Sequence, residues 1–178
     1  METEIGLNDF YENLVNETKS RAQIEEDFIE DKFTEIFADY LVDSTDIEDI
    51  NVGFYKSRGL KVNGYWINND ENRLDLFISI FKGEDLPVKI SKMEIDTNFK
   101  WLISFLKKAL EGYHYSLEES SQTFDMSSDI YDLRGKLRNV RFFVFTDGIA
   151  NLDSTDYIED GTLSISKHLW DIRRLYRL

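Results

Sequence analysis

The chain has 178 residues, 42% apolar and 14% aromatic, which is enough for the core of one globular domain and too apolar for a disordered segment. It has no cysteine, which excludes disulfides, thiolate metal ligands and a cysteine nucleophile, and fits a reducing, cytoplasmic setting. Net charge is −14, and residues 1–51 alone hold 16 acids against 3 bases, so the N-terminal third should repel phosphate backbones.

The first residues are acidic, the wrong charge for a secretory signal, and the sequence has no apolar run of about 18 residues to span a membrane. Leu7, Phe10, Tyr11, Leu14 and Val15 follow helical spacing. Phe33, Ile36, Phe37, Tyr40 and Leu41 do the same, within a helix predicted from Ile24 to Val42. Asp43-Ser44-Thr45-Asp46 breaks it, and Val52 to Lys56 reads as a short strand. A hairpin follows: Leu60 to Ile67, a turn over Asn68 to Asn72, then Leu74 to Phe81. Pro87 delays the next helix until about Ser91. The helix from Glu94 to Tyr113 is apolar on so much of its surface that it must pack on more than one side. A short helix is predicted near Ser128 to Leu137, then a buried strand from Val140 to Phe145 ending in the turn Thr146-Asp147-Gly148. Leu152 to Gly161 reads as a polar loop, Leu163 to Ile165 as a strand and Lys167 to Tyr176 as a final helix. This order predicts a single α/β domain over residues 1–178, a mixed β-sheet with flanking helices.

The second hairpin strand is apolar on both faces, as a central strand is. Leu74, Leu76, Ile78 and Ile80 point one way, and Asp75, Phe77, Ser79 and Phe81 the other. Asp75 is therefore expected to be buried, facing a helix, and satisfied by backbone or tyrosine donors.

The hairpin GLKVNGYWINNDENRLDLFISIF, with EEDFIEDKFTEIFADYL before it and HLWDIRRLYRL at the end, resembles the N-terminal domain of the abortive-infection phage-resistance (AIPR) proteins of bacteria. The likeness runs from about Phe10 to Leu178. It implies antiviral defence and a larger C-terminal region of the full-length protein as a partner.

The order helix, β-meander, helix, strand also resembles the restriction-endonuclease-like nucleases. Those enzymes place an acid on one hairpin strand and an acid-x-lysine triplet on the next, often with a helical glutamate. Carboxylate oxygens hold Mg²⁺ and the lysine helps activate water. Laid on this hairpin, Asn63 falls at the first acid and Ser79-Ile80-Phe81 at the triplet, so these are degenerate positions without paired carboxylates or a lysine. Glu26 and Glu30 project near the apolar stripe of their helix, and Glu30 is the better candidate for the helical acid. Asp147 ends a buried strand, where α/β sheets often place ligand residues. His114 and His168 are far apart, one at a helix end and one in the predicted final helix, and complete no metal triad.

The preferred reading is a non-catalytic interaction or sensing domain with no cofactor. One alternative is an active Mg²⁺-dependent nuclease with a rearranged site on Glu30, Asp75 and Asp147. Another is a structural domain packed on a larger effector region. The expected partner is the C-terminal region or another protein. Basic residues at Arg134, Lys136, Arg138, Arg141, Arg173, Arg174 and Arg177 give nucleic acid weak support, and a membrane none.

Overall fold

A computed structural model describes residues 2–151 and 157–178 of the chain. Two helices come first, α1 (Glu2–Glu25) and α2 (Ile29–Asp43). The meander β1 (Asn51–Ser57), β2 (Leu60–Asn68) and β3 (Arg73–Ile80) follows. Then come α3 (Lys92–Leu110), a 3₁₀ turn (Tyr113–Ser116), α4 (Gln122–Asp132), β4 (Asn139–Thr146), β5 (Tyr157–Asp160), β6 (Leu163–Trp170) and α5 (Ile172–Tyr176). One mixed sheet has the order β1-β2-β3-β4-β6-β5. The meander is antiparallel, β4 runs parallel to both β3 and β6, and β5 pairs antiparallel with β6.

Both faces of β3 are covered, as the apolar residues on each of them require. Leu74, Leu76, Ile78 and Ile80 join Val140, Phe142 and Val144 under α3 and α4. Phe77, Phe143 and Phe145 face Phe33, Phe37 and Leu41 of α2. Phe37 stacks on Phe145 at 4.7 Å and Phe77 on Phe143 at 5.0 Å, which fixes how α2 seats on the sheet.

Four expectations are corrected. The helix predicted from Ile24 divides at Glu26, which takes a positive φ of 52°, and the Asp27 carboxylate accepts the Phe28 N–H. Ile24 thus belongs to α1. The helix predicted near Ser128 to Leu137 starts earlier, because Ser121 caps it by accepting the Phe124 N–H at 3.1 Å, and it ends at Asp132. The strand predicted over Leu163 to Ile165 runs on to Trp170, drawn out by its parallel ladder with β4. Only then does Asp171 cap the short α5, so His168 sits on a strand and not in a helix. The polar loop is replaced in part by β5, and its residues 152–156 lie outside the described residues.

Candidate functional site

The β2–β3 ladder pairs Gly64–Asn68 with Arg73–Phe77. Beyond Gly64, side chains of β2 take its place. Asn63 Oδ1 accepts the Ser79 N–H at 2.8 Å, and Lys61 Nζ donates to the Ser79 carbonyl at 2.6 Å. Asn63 and Ser79 are fully buried and Lys61 nearly so. The first turns of α2 close over them. Asn63 Nδ2 donates to Glu30 Oε1 at 2.9 Å, and Lys61 forms an ion pair with the same carboxylate. The Thr34 hydroxyl donates to the Glu30 carbonyl at 2.7 Å, so in its 2.7 Å contact with Ser79 Oγ the serine is the donor. Burial lowers the pKa of Lys61, and the Glu30 carboxylate pulls it back up.

Three of the predicted positions, Glu30, Asn63 and Ser79, therefore meet in one network. Lys61 is the residue that sequence reasoning missed, since a lysine does occupy this hairpin. Its signal was its place two residues before Asn63, hence on the same strand face. Glu30 does not simply reach water as a boundary carboxylate would; its side chain is 28% exposed and tied to Lys61 and Asn63. Glu26 is exposed in the turn between α1 and α2.

The network borders an open cleft of about 490 Å³ between the N-terminal ends of α2 and α3. Lys56, Lys61, Lys82, Glu30 and Glu94 supply its charge, and Trp101 and Asn98 its wall. Lys82 pairs with Glu94 at 2.7 Å. Phe81, at the place of the triplet's lysine, turns its ring onto Phe33 at 4.9 Å.

The other candidates lie in separate networks. Asp75 is 1% exposed and bound by Arg141, with Nε at 2.7 Å and Nη2 at 2.5 Å, in a fork on its two oxygens. Its donors are thus an arginine, not backbone or tyrosine groups, and Arg141 also reaches the Asp46 carbonyl in the turn after α2. Asp147 is fully buried and accepts the Lys82 and Gly83 N–H groups at 2.9 and 2.8 Å. Burial raises its pKa against those hydrogen bonds. It holds the loop leaving β3, and Tyr11 closes over it while donating to the Glu84 carbonyl at 3.0 Å. His168 stacks on Phe143 at 4.8 Å and meets Ser166 Oγ at 2.9 Å; burial and then Arg141 lower its pKa. His114 is buried against Tyr115, Phe124 and Tyr131. Among the described residues, no three His, Cys, Asp or Glu side chains are grouped to hold a metal ion.

The family model for the abortive infection phage resistance protein N-terminal domain matches residues 33–177. The chain belongs to this family. The match spans β1 to α5 and all but the first turn of α2, so Asn63, Ser79 and Lys61 lie within the AIPR domain while Glu30 lies just before it. It begins later than the likeness from Phe10 seen in the sequence. No curated protein and no solved structure matches the chain. No helix among the described residues of this AIPR domain is long and apolar enough to cross a membrane.

Proposed function

We propose that this AIPR domain is a nuclease-like but non-catalytic interaction or sensing module in phage resistance. The observation that supports it is the network of Glu30, Asn63, Ser79 and Lys61. The meander β1-β2-β3, the crossover through α3 and the parallel strand β4 follow the order of the restriction-endonuclease-like fold. In that order Asn63, Ser79 and Glu30 stand where such an enzyme gathers its carboxylates. Here one carboxylate remains, and it is spent on Lys61 and the Asn63 amide. A Mg²⁺ site needs a near-octahedral set of oxygen ligands anchored by at least one carboxylate free to coordinate, and here the one carboxylate is held by an ammonium and an amide. Asn63 and Lys61 instead hold the end of β3 through the backbone of Ser79. The active-nuclease alternative would require Glu30, Asp75 and Asp147 together, whereas Asp75 is locked to Arg141 and Asp147 to the Lys82–Gly83 backbone. The reading places the partner in the C-terminal region of a longer AIPR protein or in another cytoplasmic protein.

The test is calorimetric titration with Mn²⁺ alongside cleavage assays on plasmid, linear duplex and single-stranded DNA. The expected result is no cleavage and no Mn²⁺ binding by the parent, and Mn²⁺ binding gained by the triple change Asn63→Asp, Ser79→Asp, Phe81→Lys. Cleavage by the parent that Glu30→Gln abolishes would overturn the reading.

A further inference from the structure

The chain is strongly acidic, yet the cleft between α2 and α3 sets three lysines, Lys56, Lys61 and Lys82, against two glutamates, Glu30 and Glu94. The N-terminal end of α3, a helix of 19 residues capped by Ser91, opens into it and adds the positive end of its dipole. With Lys61 paired to Glu30 and Lys82 to Glu94, Lys56 leaves the cleft one positive charge in excess within an acidic molecule, which favours a small anion over a long one whose ends would meet acidic surface.

One further feature calls for more than a bare anion. Trp101 lines the cleft half-buried, with Lys56 Nζ 5.7 Å from its ring centroid, so an aromatic face and a cation are already paired there. Asn98, 4% exposed, also lines it. Its Nδ2 donates to the Glu94 carbonyl at 2.9 Å, but its Oδ1 has no hydrogen-bond partner among the described residues. That oxygen is itself buried, so Asn98 forms part of the wall and offers no acceptor to a ligand. The cleft, at about 490 Å³, lies in the range of small-molecule sites.

We propose that this cleft binds a mononucleotide, a nucleoside mono- or diphosphate. The base stacks on Trp101, while the phosphates lie between Lys56 and Lys82 at the start of α3. Lys61, held by Glu30 and Ser79, fixes the floor and does not move to the ligand. The inference rests on the non-catalytic reading of the same cleft, and it supplies that reading with a class of sensed molecule.

The test uses the purified chain and calorimetric titration with ADP, GDP, CDP and UDP, with inorganic phosphate, adenosine and a long oligo(dT) as controls. At least one diphosphate is expected to bind about tenfold or more tightly than phosphate, adenosine or the oligonucleotide. Trp101→Ala and Lys56→Glu, both shown to melt cooperatively, are expected to weaken that binding about tenfold or more. Lys56→Arg, which keeps the charge, should retain it. Absence of binding by all four diphosphates overturns the proposal. So does binding that Trp101→Ala and Lys56→Glu leave unchanged, or an oligonucleotide bound more tightly than any mononucleotide. A parallel incubation of the oligonucleotide with Mn²⁺, read on a gel, separates the two readings. Cleavage removes the non-catalytic function, whereas intact DNA with no diphosphate bound removes only the nucleotide.

Discussion

Asp75 is where one side chain carries most. Its carboxylate is buried, and the Arg141 fork takes both oxygens, while Arg73 Nε stands 3.4 Å away. Removing one member of such a pair leaves the other charge without its partner, at about 3–5 kcal/mol. Asp75→Ala is therefore expected to lower stability by about that much in urea denaturation, and Asp75→Asn by less, since the amide keeps one acceptor for the fork. Equal loss in both would mean that charge, not hydrogen-bond geometry, sets the cost. Asp31 behaves in the opposite sense. It is nearly buried on α2, its Oδ1 has no partner among the described residues, and burial followed by Asp27, Glu30 and Glu35 raises its pKa to about 6. A carboxyl whose folded pKa lies above its unfolded value binds its proton more readily in the native state. Its stabilising contribution is fully present below about pH 4 and is lost as pH rises through about 6. Asp31→Asn, which removes the charge but keeps the shape, is thus expected to raise the melting temperature at pH 7 and to leave it nearly unchanged at pH 4. An equal rise at both pH values would place the effect in packing.

At the scale of elements, the hairpin is closed by side chains as well as by backbone. Asn63 and Lys61 satisfy both backbone groups of Ser79, where a regular ladder would use the β2 backbone. Asn63→Ala would leave the buried Ser79 N–H bare and the Glu30 carboxylate without one donor, at about 1–3 kcal/mol. Hydrogen exchange should show the Ser79 amide losing protection while the amides of Leu74–Phe77, in the intact ladder, keep theirs. Loss of protection along the whole of β3 would mean that the two halves of the hairpin open as one unit. The connection after β4 has a different constraint. A Cβ on Gly148 would lie 2.5 Å from the Ile90 side chain and 2.7 Å from the Val88 carbonyl. Gly148→Ala is accordingly expected to cost about 1–3 kcal/mol or more through overpacking, read as a drop in melting temperature.

On the scale of the whole molecule, the charge is the dominant feature. Sixteen acids lie within residues 1–51, on α1, α2 and the turns beside them, so folding concentrates like charge. Lys32 absorbs some of it, since Glu25, Asp27 and Glu35 lie 2.5, 3.2 and 2.8 Å from its Nζ and raise its pKa. Added NaCl screens the remainder over about 8–10 Å at near-physiological ionic strength. The melting temperature is therefore expected to rise from 10 mM toward 300 mM NaCl, most steeply at the low end; a fall would show that the ion pairs outweigh the repulsion.

Local sequence was sufficient wherever a periodic apolar pattern met a clear breaker. The hairpin, α3 and β4 were legible because their side chains alternate or recur at helical spacing between turn residues, and those patterns fix which face is buried. The burial of Asp75 was legible for the same reason, since a polar group on a doubly apolar strand has nowhere else to go. Its partner was not, because Arg141 comes from β4, 66 residues on, and meets Asp75 only through the parallel register. The extent of β6 also depended on register: the sequence reads as a strand only over Leu163 to Ile165 and as a helix from Lys167, and pairing with β4 overrides that reading up to Trp170. The candidate cleft shows the same division. Glu30, Asn63 and Ser79 could each be singled out from motif position, but Lys61 and Asn98 became visible only when α2, β2 and α3 were brought to one end of β3. Periodicity is written within one element, whereas a hydrogen-bond partner or a cleft wall is supplied by another element, and only the packed sheet determines which one that is.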